Sequence, residues 1–476
     1  MTALAPEQAL RTAPSTRPAA RPPSLRLTRD AFRLGLEYDR GFIAAIEGHD
    51  IARFRLGTRR FVSLAHPDYV DHVLHGAQPN YGRSFEYEVM KAAAGINLLT
   101  DEGDSHRRHR SLLTPMFAKR RLDGLVAQMT EPIGEVAAAI DHSNQFDMSE
   151  LMVDATLEVL GRAMFGRSFA DLIRESAGHV SEGMRKLEEL EHLLLLVTPS
   201  QLLWKPFERL VAGPVPAPPP VRRLQQVVRV MDETIWGIVN DRRANPTDTT
   251  DLLNLLLAIE DDDGTPLPLR RVRDESFAFF VAGHETTANA LSWMWWQLAQ
   301  HPEHYDRLLA EVDEVLGGRT PTVADLPNLP WTQACFEESM SRYPPVWILP
   351  RQAREDDVIG GHHIAAGTNI LLPIRHIHHD PRWWPEPERY DPARFLPGTA
   401  PDRPRSAYLP FGGGRRICIG RSFALMEAVL ITAMLSQRYR FSLLRDGEKI
   451  RPETTFTLRP RGGLPMIATP RLKAVS

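Results

Sequence analysis

Phe411-Gly-Gly-Gly-Arg-Arg-Ile-Cys-Ile-Gly420 is the stretch on which the reading of this chain turns. It joins a proline-rich coil to an apolar segment with helical periodicity that begins near Arg421. A cysteine just before a helix N-terminus feels the positive end of the helix dipole and nearby amides, which favour the thiolate. Gly412 to Gly414 let the backbone turn tightly and approach a flat ligand, and Gly420 keeps the first helical turn thin. Phe411 is placed to shield the sulfur, and Arg416 to meet an anionic group. Glycines before a helix also bind phosphate, but a P-loop needs a Gly-Lys-Ser/Thr ending, and that lysine is absent here.

A second unusual segment lies well upstream. Ala282-Gly-His-Glu-Thr-Thr287 falls inside the helical pattern 273–300, where glycine and threonine are poor helix formers and ask for a reason. Thr286 lies one helical turn beyond Ala282, so its hydroxyl can bond the Ala282 carbonyl and the helix can open locally into a groove. Glu285 supplies an acid for proton delivery beside that groove. Zinc binding through H-E-x-x-H fails, because Ala288 stands at the last position.

Together the two segments resemble the signatures of the cytochrome P450 family. F-x-x-G-x-R-x-C-x-G is matched at Phe411, Gly414, Arg416, Cys418 and Gly420, and A/G-G-x-D/E-T-T at 282–287. The resemblance implies haem b (iron-protoporphyrin IX), with Cys418 the axial ligand of the iron. Phe411, Gly412, Gly420 and Ala282 then lie along the cofactor, and Thr286 and Glu285 form the proton relay. His106 and Arg110, one turn apart on one helix face, resemble the family's H-x-x-x-R. Arg351, after the Pro344-Pro345 turn, resembles its propionate-binding arginine, and together with Arg416 these cations would neutralise two buried propionates. The substrate pocket implied by the family comprises parts of 85–99, Phe279, Ala282, Val346, Trp347 and its neighbours to Leu349, and Phe456. Those residues are mainly apolar, so a hydrophobic small molecule such as a terpenoid, fatty acid, steroid or polyketide is expected.

One position departs from the family. Its E-x-x-R helix should precede Tyr343-Pro-Pro345; Glu338 matches the glutamate, but Ser341 stands where the arginine belongs. Arg394, in Pro392-Ala-Arg-Phe395, is the scaffold arginine expected to face Glu338, leaving that network one cation short or Glu338 partly protonated. Arg342, an i,i+4 neighbour of Glu338, is the other cation within its reach.

The rest of the chain fits a mainly α protein: a single large helical unit with a smaller β-rich region, as in the P450 fold. Helical periodicity covers 122–141, 148–165, 222–243, 273–300, 303–315, 331–342 and 421–437. Strand-like runs are Ile51–Leu56, Phe61–Leu64, Thr368–Pro373 and Thr454–Leu458. Pro214, Pro216 and Pro218–Pro220 interrupt the helical pattern. Residues 1–24 read as a disordered Pro/Arg-rich leader before one domain from 25 to 476. His376 and His378 would share a strand face, but without an accompanying cluster of acids or cysteines they make a poor zinc site.

Composition bounds the partners. With 43% hydrophobic residues, 25% charged and a net charge of −3, nothing points to nucleic acid, and no N-terminal apolar run is long enough for a membrane anchor. The two cysteines make no disulfide framework, which fits a cytoplasmic protein, with the Arg-rich leader leaving a mitochondrial location as alternative. A monomer is expected. The function implied is a monooxygenase that inserts one atom of O2 into its substrate. No flavin or nicotinamide segment is present, so a ferredoxin and its reductase, or similar donors, would supply electrons. An oxygen-independent or peroxide-dependent enzyme, or a decayed haem-binding protein, are the alternatives, against which Thr286 and Glu285 speak.

Overall fold

The computed structural model describes residues 46, 48–56, 59–140, 145–166, 219–248, 251–261, 263–399, 403–445, 447, 449–454 and 456–471. The leader, and Pro214, Pro216 and Pro218, lie outside the described residues.

The principal helices are α1 (Phe85–Ala94), α2 (Gly103–Leu113), α3 (Val126–Ala139), α4 (Met148–Phe165), α5 (Pro219–Ala244), α6 (Leu269–Gln300), α7 (Pro302–Leu316), α8 (Pro330–Arg342) and α9 (Arg421–Arg438). Their ends have local causes. Asp147 caps α4 by accepting from Ser149 N–H at 2.8 Å, and Gly166 ends it at φ +65°. Pro302 and Pro330 open α7 and α8, where a missing N–H costs nothing. The same rule corrects the expectation for Pro219 and Pro220: they do not interrupt α5 but form its first turn. The pattern 122–141 is split, a short helix Lys119–Asp123 turning at Gly124 before α3 begins.

The strands are β1 (Ile51–Leu56), β2 (Arg59–Leu64), β3 (Tyr81–Gly82), β4 (Gln145–Asp147), β5 (Leu349–Ala353), β6 (Asp357–Ile359), β7 (His362–Ile364), β8 (Asn369–Leu372), β9 (Tyr439–Leu443), β10 (Pro452–Thr454), β11 (Leu458–Pro460) and β12 (Pro465–Pro470). The main sheet runs β1-β2-β8-β5-β3, with β2 and β8 parallel and the other neighbours antiparallel; β4-β12-β9 form a second sheet. Two expectations are corrected. Thr454–Leu458 is not one strand: Thr454 ends β10 and Leu458 begins β11, and the two residues pair across the hairpin. His376 and His378 sit on a short helix, Ile374–His378, not on a strand. His378 is buried and bonds Ser341 O (3.1 Å) and Leu409 N (2.9 Å), a core histidine rather than a ligand. Among the described residues no cluster of His, Cys, Asp or Glu could hold a metal ion.

Helix α6 runs through the centre, packed on α4, α5 and α8, while α9 packs on α3 and α8. Its second half is buried all round, with Trp293 and Trp295 fully enclosed, as a helix apolar on every side must be. Trp293 stacks on Tyr343 at 4.1 Å between ring centroids and donates its indole N–H to Leu458 O at 3.0 Å, tying the β10–β11 hairpin to the core. Removing it opens a large void and orphans that carbonyl. Trp293→Ala is therefore expected to lower unfolding free energy by about 3–5 kcal/mol in denaturant titration of the holoprotein; a loss under about 1 kcal/mol would show the hairpin is held elsewhere.

Candidate active site

The cysteine loop is shaped by close approach. Gly412 and Gly414 have φ +69° and +67°, a region L-residues with side chains avoid. A Cβ at Gly414 would overlap the Leu74 carbonyl oxygen, so no other residue passes there. Gly414 N–H donates to His75 Nε2 at 2.9 Å, and Cys418 N–H donates to Phe411 O at 2.9 Å, closing the loop onto itself. Gly420 caps α9, and a Cβ there would meet only the Cys418 sulfur, at 3.8 Å. The sulfur thus opens onto an internal cavity yet lies deep in the protein. Burial pushes the Cys418 thiol up; hydrogen bonds from Gly420 and Arg421 N–H and the charges of Arg110 and Arg421 work against that rise. The dipole and amide effects expected at this helix start are present but do not by themselves outweigh desolvation. A coordinated metal does, because a metal-bound thiol is deprotonated outright.

The cavity, about 390 Å³, is lined on one side by Phe411, Gly412, Arg416, Cys418 and Gly420 and on the other by Phe279, Ala282, Gly283 and Thr286 of α6. Arg351, Val346, Trp347 and Phe456 complete the walls, and Tyr87, Met90, Leu99, Phe117, Leu160 and Leu252 join them. Thr286 Oγ1 donates to Ala282 O at 2.8 Å as its spacing requires, but α6 stays helical through the motif rather than opening. Glu285 does not line the cavity; its Oε1 accepts from Thr457 Oγ1 at 2.6 Å. His284, between them in sequence, is buried against Phe280, and its pKa is lowered by desolvation.

Cations gather along one edge. Arg351 is buried, and Arg416 reaches the Leu98 carbonyl at 3.4 Å. The turn carrying Leu98 is itself anchored to the start of α6: Ile96 N–H donates to Asp274 and Leu98 N–H to Glu275, each at 3.0 Å. Desolvation, then the neighbouring Arg83 and Arg351, lower Arg416 to about 9. His106 drops to about 3 through burial and the charges of Arg416, Arg83 and Arg110, so at neutral pH it is an uncharged donor. Arg110 is lowered by burial and held up by Cys418. His106 and Arg110 belong to this electrostatic group, although neither lines the cavity.

Sequence reasoning missed Arg83. It lines the same cavity, is lowered to about 10 chiefly by burial, and has a buried Nε without a hydrogen-bond partner. A lone arginine between Gly82 and Ser84 carries no motif or period that would single it out; only the fold brings it beside Arg351 and Arg416. Such crowding of buried guanidinium groups is unfavourable unless anions join it. Two carboxylates on a flat apolar group would satisfy that set, between the Cys418 loop on one wall and α6 on the other, so the residues fit a haem.

The altered E-x-x-R helix is one cation short, as Ser341 implies, and Arg342 does not make up the deficit. Ser341 Oγ donates to Glu338 Oε2 at 2.8 Å, and Asp391 N–H donates to Oε1 at 2.9 Å. Arg394 Nε is 3.9 Å from Oε1. Arg342 does not reach Glu338; it turns to the Glu388 carbonyl and, at 3.4 Å, to the Glu388 carboxylate. A hydroxyl and an amide replace a cation, and burial pushes Glu338 up to about 7.

The comparisons with known proteins agree with this geometry. The cytochrome P450 family model matches residues 45–465. "Putative cytochrome P450 132" of Mycobacterium tuberculosis is 48% identical over 454 residues, covering 95% of this chain and 97% of its own. "Cyclooctatin synthase" of Streptomyces melanosporofaciens is 33% identical over 90% of this chain and 91% of its own, and mouse "Leukotriene-B4 omega-hydroxylase 3" 32% identical over 85% and 79%. The crystal structure of the cytochrome P450DA haem domain superposes with TM-score 0.80 at 21% identity, over 96% of this chain and 98% of that one. The chain belongs to the cytochrome P450 family and is a haem-thiolate monooxygenase.

Glu338 gives a pH test. Its ordinary value is 4.5 and its folded value about 7, so between the two the folded protein holds a proton that the unfolded chain releases. Stability from this group is full below the lower value and is lost as pH rises through the window, by about 3 kcal/mol at roughly 1.4 kcal/mol per unit. Glu338→Gln removes that slope. The stability difference between wild type and Glu338→Gln, measured by urea unfolding from pH 4.5 to pH 8, should shift against the wild type by about that amount; parallel curves would contradict it.

Proposed function

We propose that this protein inserts one oxygen atom of O2 into a hydrophobic small molecule, using electrons passed from a ferredoxin and its reductase in the cytoplasm. The observation that carries the reading is a single cavity with Cys418 on one wall and Ala282 and Thr286 on the facing wall. When bound, haem b supplies reductive activation of dioxygen, with a thiolate ligand that favours O–O cleavage.

The chain's own residues do the rest. Cys418 holds the iron. Arg83, Arg351 and Arg416 take the propionates, with Arg110 beside the thiolate and His106 as a neutral donor. Phe279, Val346, Trp347 and Phe456 exclude water and orient an apolar substrate by contact, as a mainly apolar pocket with few polar groups does. Thr286 lies on the cavity wall, and Glu285, next to it in sequence, is the acid that restores its proton. Among the described residues no helix is long and apolar enough to cross a membrane. The redox partner is proposed to be acidic and to dock near Arg415 and Arg421, beside the cysteine loop; the protein is proposed to act as a monomer.

Turnover of a lipophilic panel under 18O2, with a plant-type ferredoxin and reductase, tests this directly. One labelled oxygen per product is expected, and unlabelled product would overturn the reading. In the same assay Glu285→Gln should slow product formation by about 100-fold, the lower end of what a positioned acid contributes. Thr286→Ala should divert electrons to hydrogen peroxide. Both variants should keep the Soret absorption of the wild type; unchanged product yield in both would remove them from the relay.

A further inference from the structure

Three residues one helical turn apart on α6, Glu285, Asn289 and Trp293, form a stripe that grips the end of the β10–β11 hairpin. Trp293 Nε1 holds Leu458 O at 3.0 Å. Asn289 Nδ2 donates to Thr457 Oγ1 at 3.0 Å, and Thr457 Oγ1 donates to Glu285 Oε1 at 2.6 Å. Leu458 N–H also donates to Pro345 O at 2.9 Å, beside the segment that lines the cavity. Thr457 and Asn289 are 1% and 6% exposed, so the bond between them is made away from water, where breaking it is costly, while the Thr457–Glu285 bond is part-buried.

The directions matter. With the Asn289 amide donating into the Thr457 oxygen, the hydroxyl proton is left to point at Glu285 Oε1. The acid is therefore fixed by a residue of the hairpin, not by α6 alone. The neighbouring residue, Phe456, projects into the substrate cavity. A hairpin whose end carries both the apolar contact to substrate and the hydroxyl that holds the proton donor joins two tasks in adjacent residues.

We propose that Thr457 is a positioning residue for Glu285, and that through Phe456 it ties the placement of the acid to occupation of the cavity. This rests on the reading of Glu285 as the proton donor. No bond to carbon is made or broken in the step it governs: a proton leaves the Glu285 carboxyl toward Thr286 and is replaced from solvent. Nothing in the 282–287 motif reveals this tie, since Thr457 lies 172 positions away from Glu285 in sequence.

The test uses the full-length holoprotein and the isosteric pair Thr457→Val and Thr457→Ser. The first readout is amide hydrogen exchange over residues 452–460. Losing this hydrogen bond should speed exchange there about 10-fold in Thr457→Val, while Thr457→Ser restores most of the protection. The second, with a plant-type ferredoxin and reductase and no added substrate, is the share of NADPH electrons recovered as hydrogen peroxide. Thr457→Val should raise it, Thr457→Ser should return it toward wild type, and Thr457→Val with Glu285→Gln should be no worse than Glu285→Gln alone. Faster exchange in Thr457→Val with an unchanged peroxide share would make Thr457 a structural tie only and overturn the proposal. So would a Thr457→Val that changes neither readout while Glu285→Gln raises the peroxide share, an outcome that leaves Glu285 as proton donor. A Glu285→Gln that leaves the peroxide share unchanged would remove the acid's role, and that of Thr457 with it.

Discussion

The backbone at 411–420 brings Cys418 to the cavity only because Gly414 can pass against the Leu74 carbonyl, where any side chain would collide. Everything else at the site is arranged around the point where that sulfur emerges. The His75 bond to Gly414 and the Phe411 carbonyl bond to Cys418 set the loop, and α9 starts immediately beyond it. Helix α6 supplies the opposite wall, and its second half is buried in the core. The site is a gap between two rigid elements, which is how a planar cofactor is held by its faces rather than by a flexible grip.

Electrostatics at the edge of that gap oppose the stability of the chain by itself. Arg83, Arg351 and Arg416 crowd one another; burial first, and the neighbouring arginines second, lower His106 and Arg416 below their ordinary values. An anionic cofactor converts that cost into affinity, so binding and folding are linked through the same charges. Elsewhere the chain takes the opposite course. At Glu338 a serine hydroxyl and a backbone amide stand in for the family's arginine, and the carboxyl adapts by rising toward neutrality instead of finding a full ion pair. Buried charge is expensive either way; the two places show two solutions, one completed by a cofactor and one by a proton.

How much of this was legible in the sequence depended on whether a residue's role is local. The cysteine loop and the 282–287 motif were legible because their chemistry is set by neighbours within a turn or two: glycines beside the thiol, a hydroxyl one turn from its carbonyl. Helices with clean 3.6 periodicity were legible for the same reason, and α4 was bounded correctly to the residue. What could not be read was contact between distant segments. Arg83 joins the propionate edge only through the fold. Glu285 looked like a cavity acid but is turned toward Thr457 of a hairpin whose residues 454–458 resembled one strand, since a short alternating run does not announce a turn in its middle. The fate of Arg342 was likewise decided by Glu388, not by the helix it sits on. Short strands such as β3 and β6 carry too few residues for a pattern to show.

The central claim is that a thiolate from Cys418 ligates the haem iron. Its most direct test is the spectrum of the reduced protein under carbon monoxide, for the wild type and for Cys418→Ser at equal haem content. The account predicts the red-shifted Soret band of thiolate ligation in the wild type and its disappearance in the variant. A variant that kept that band would mean that another residue holds the iron.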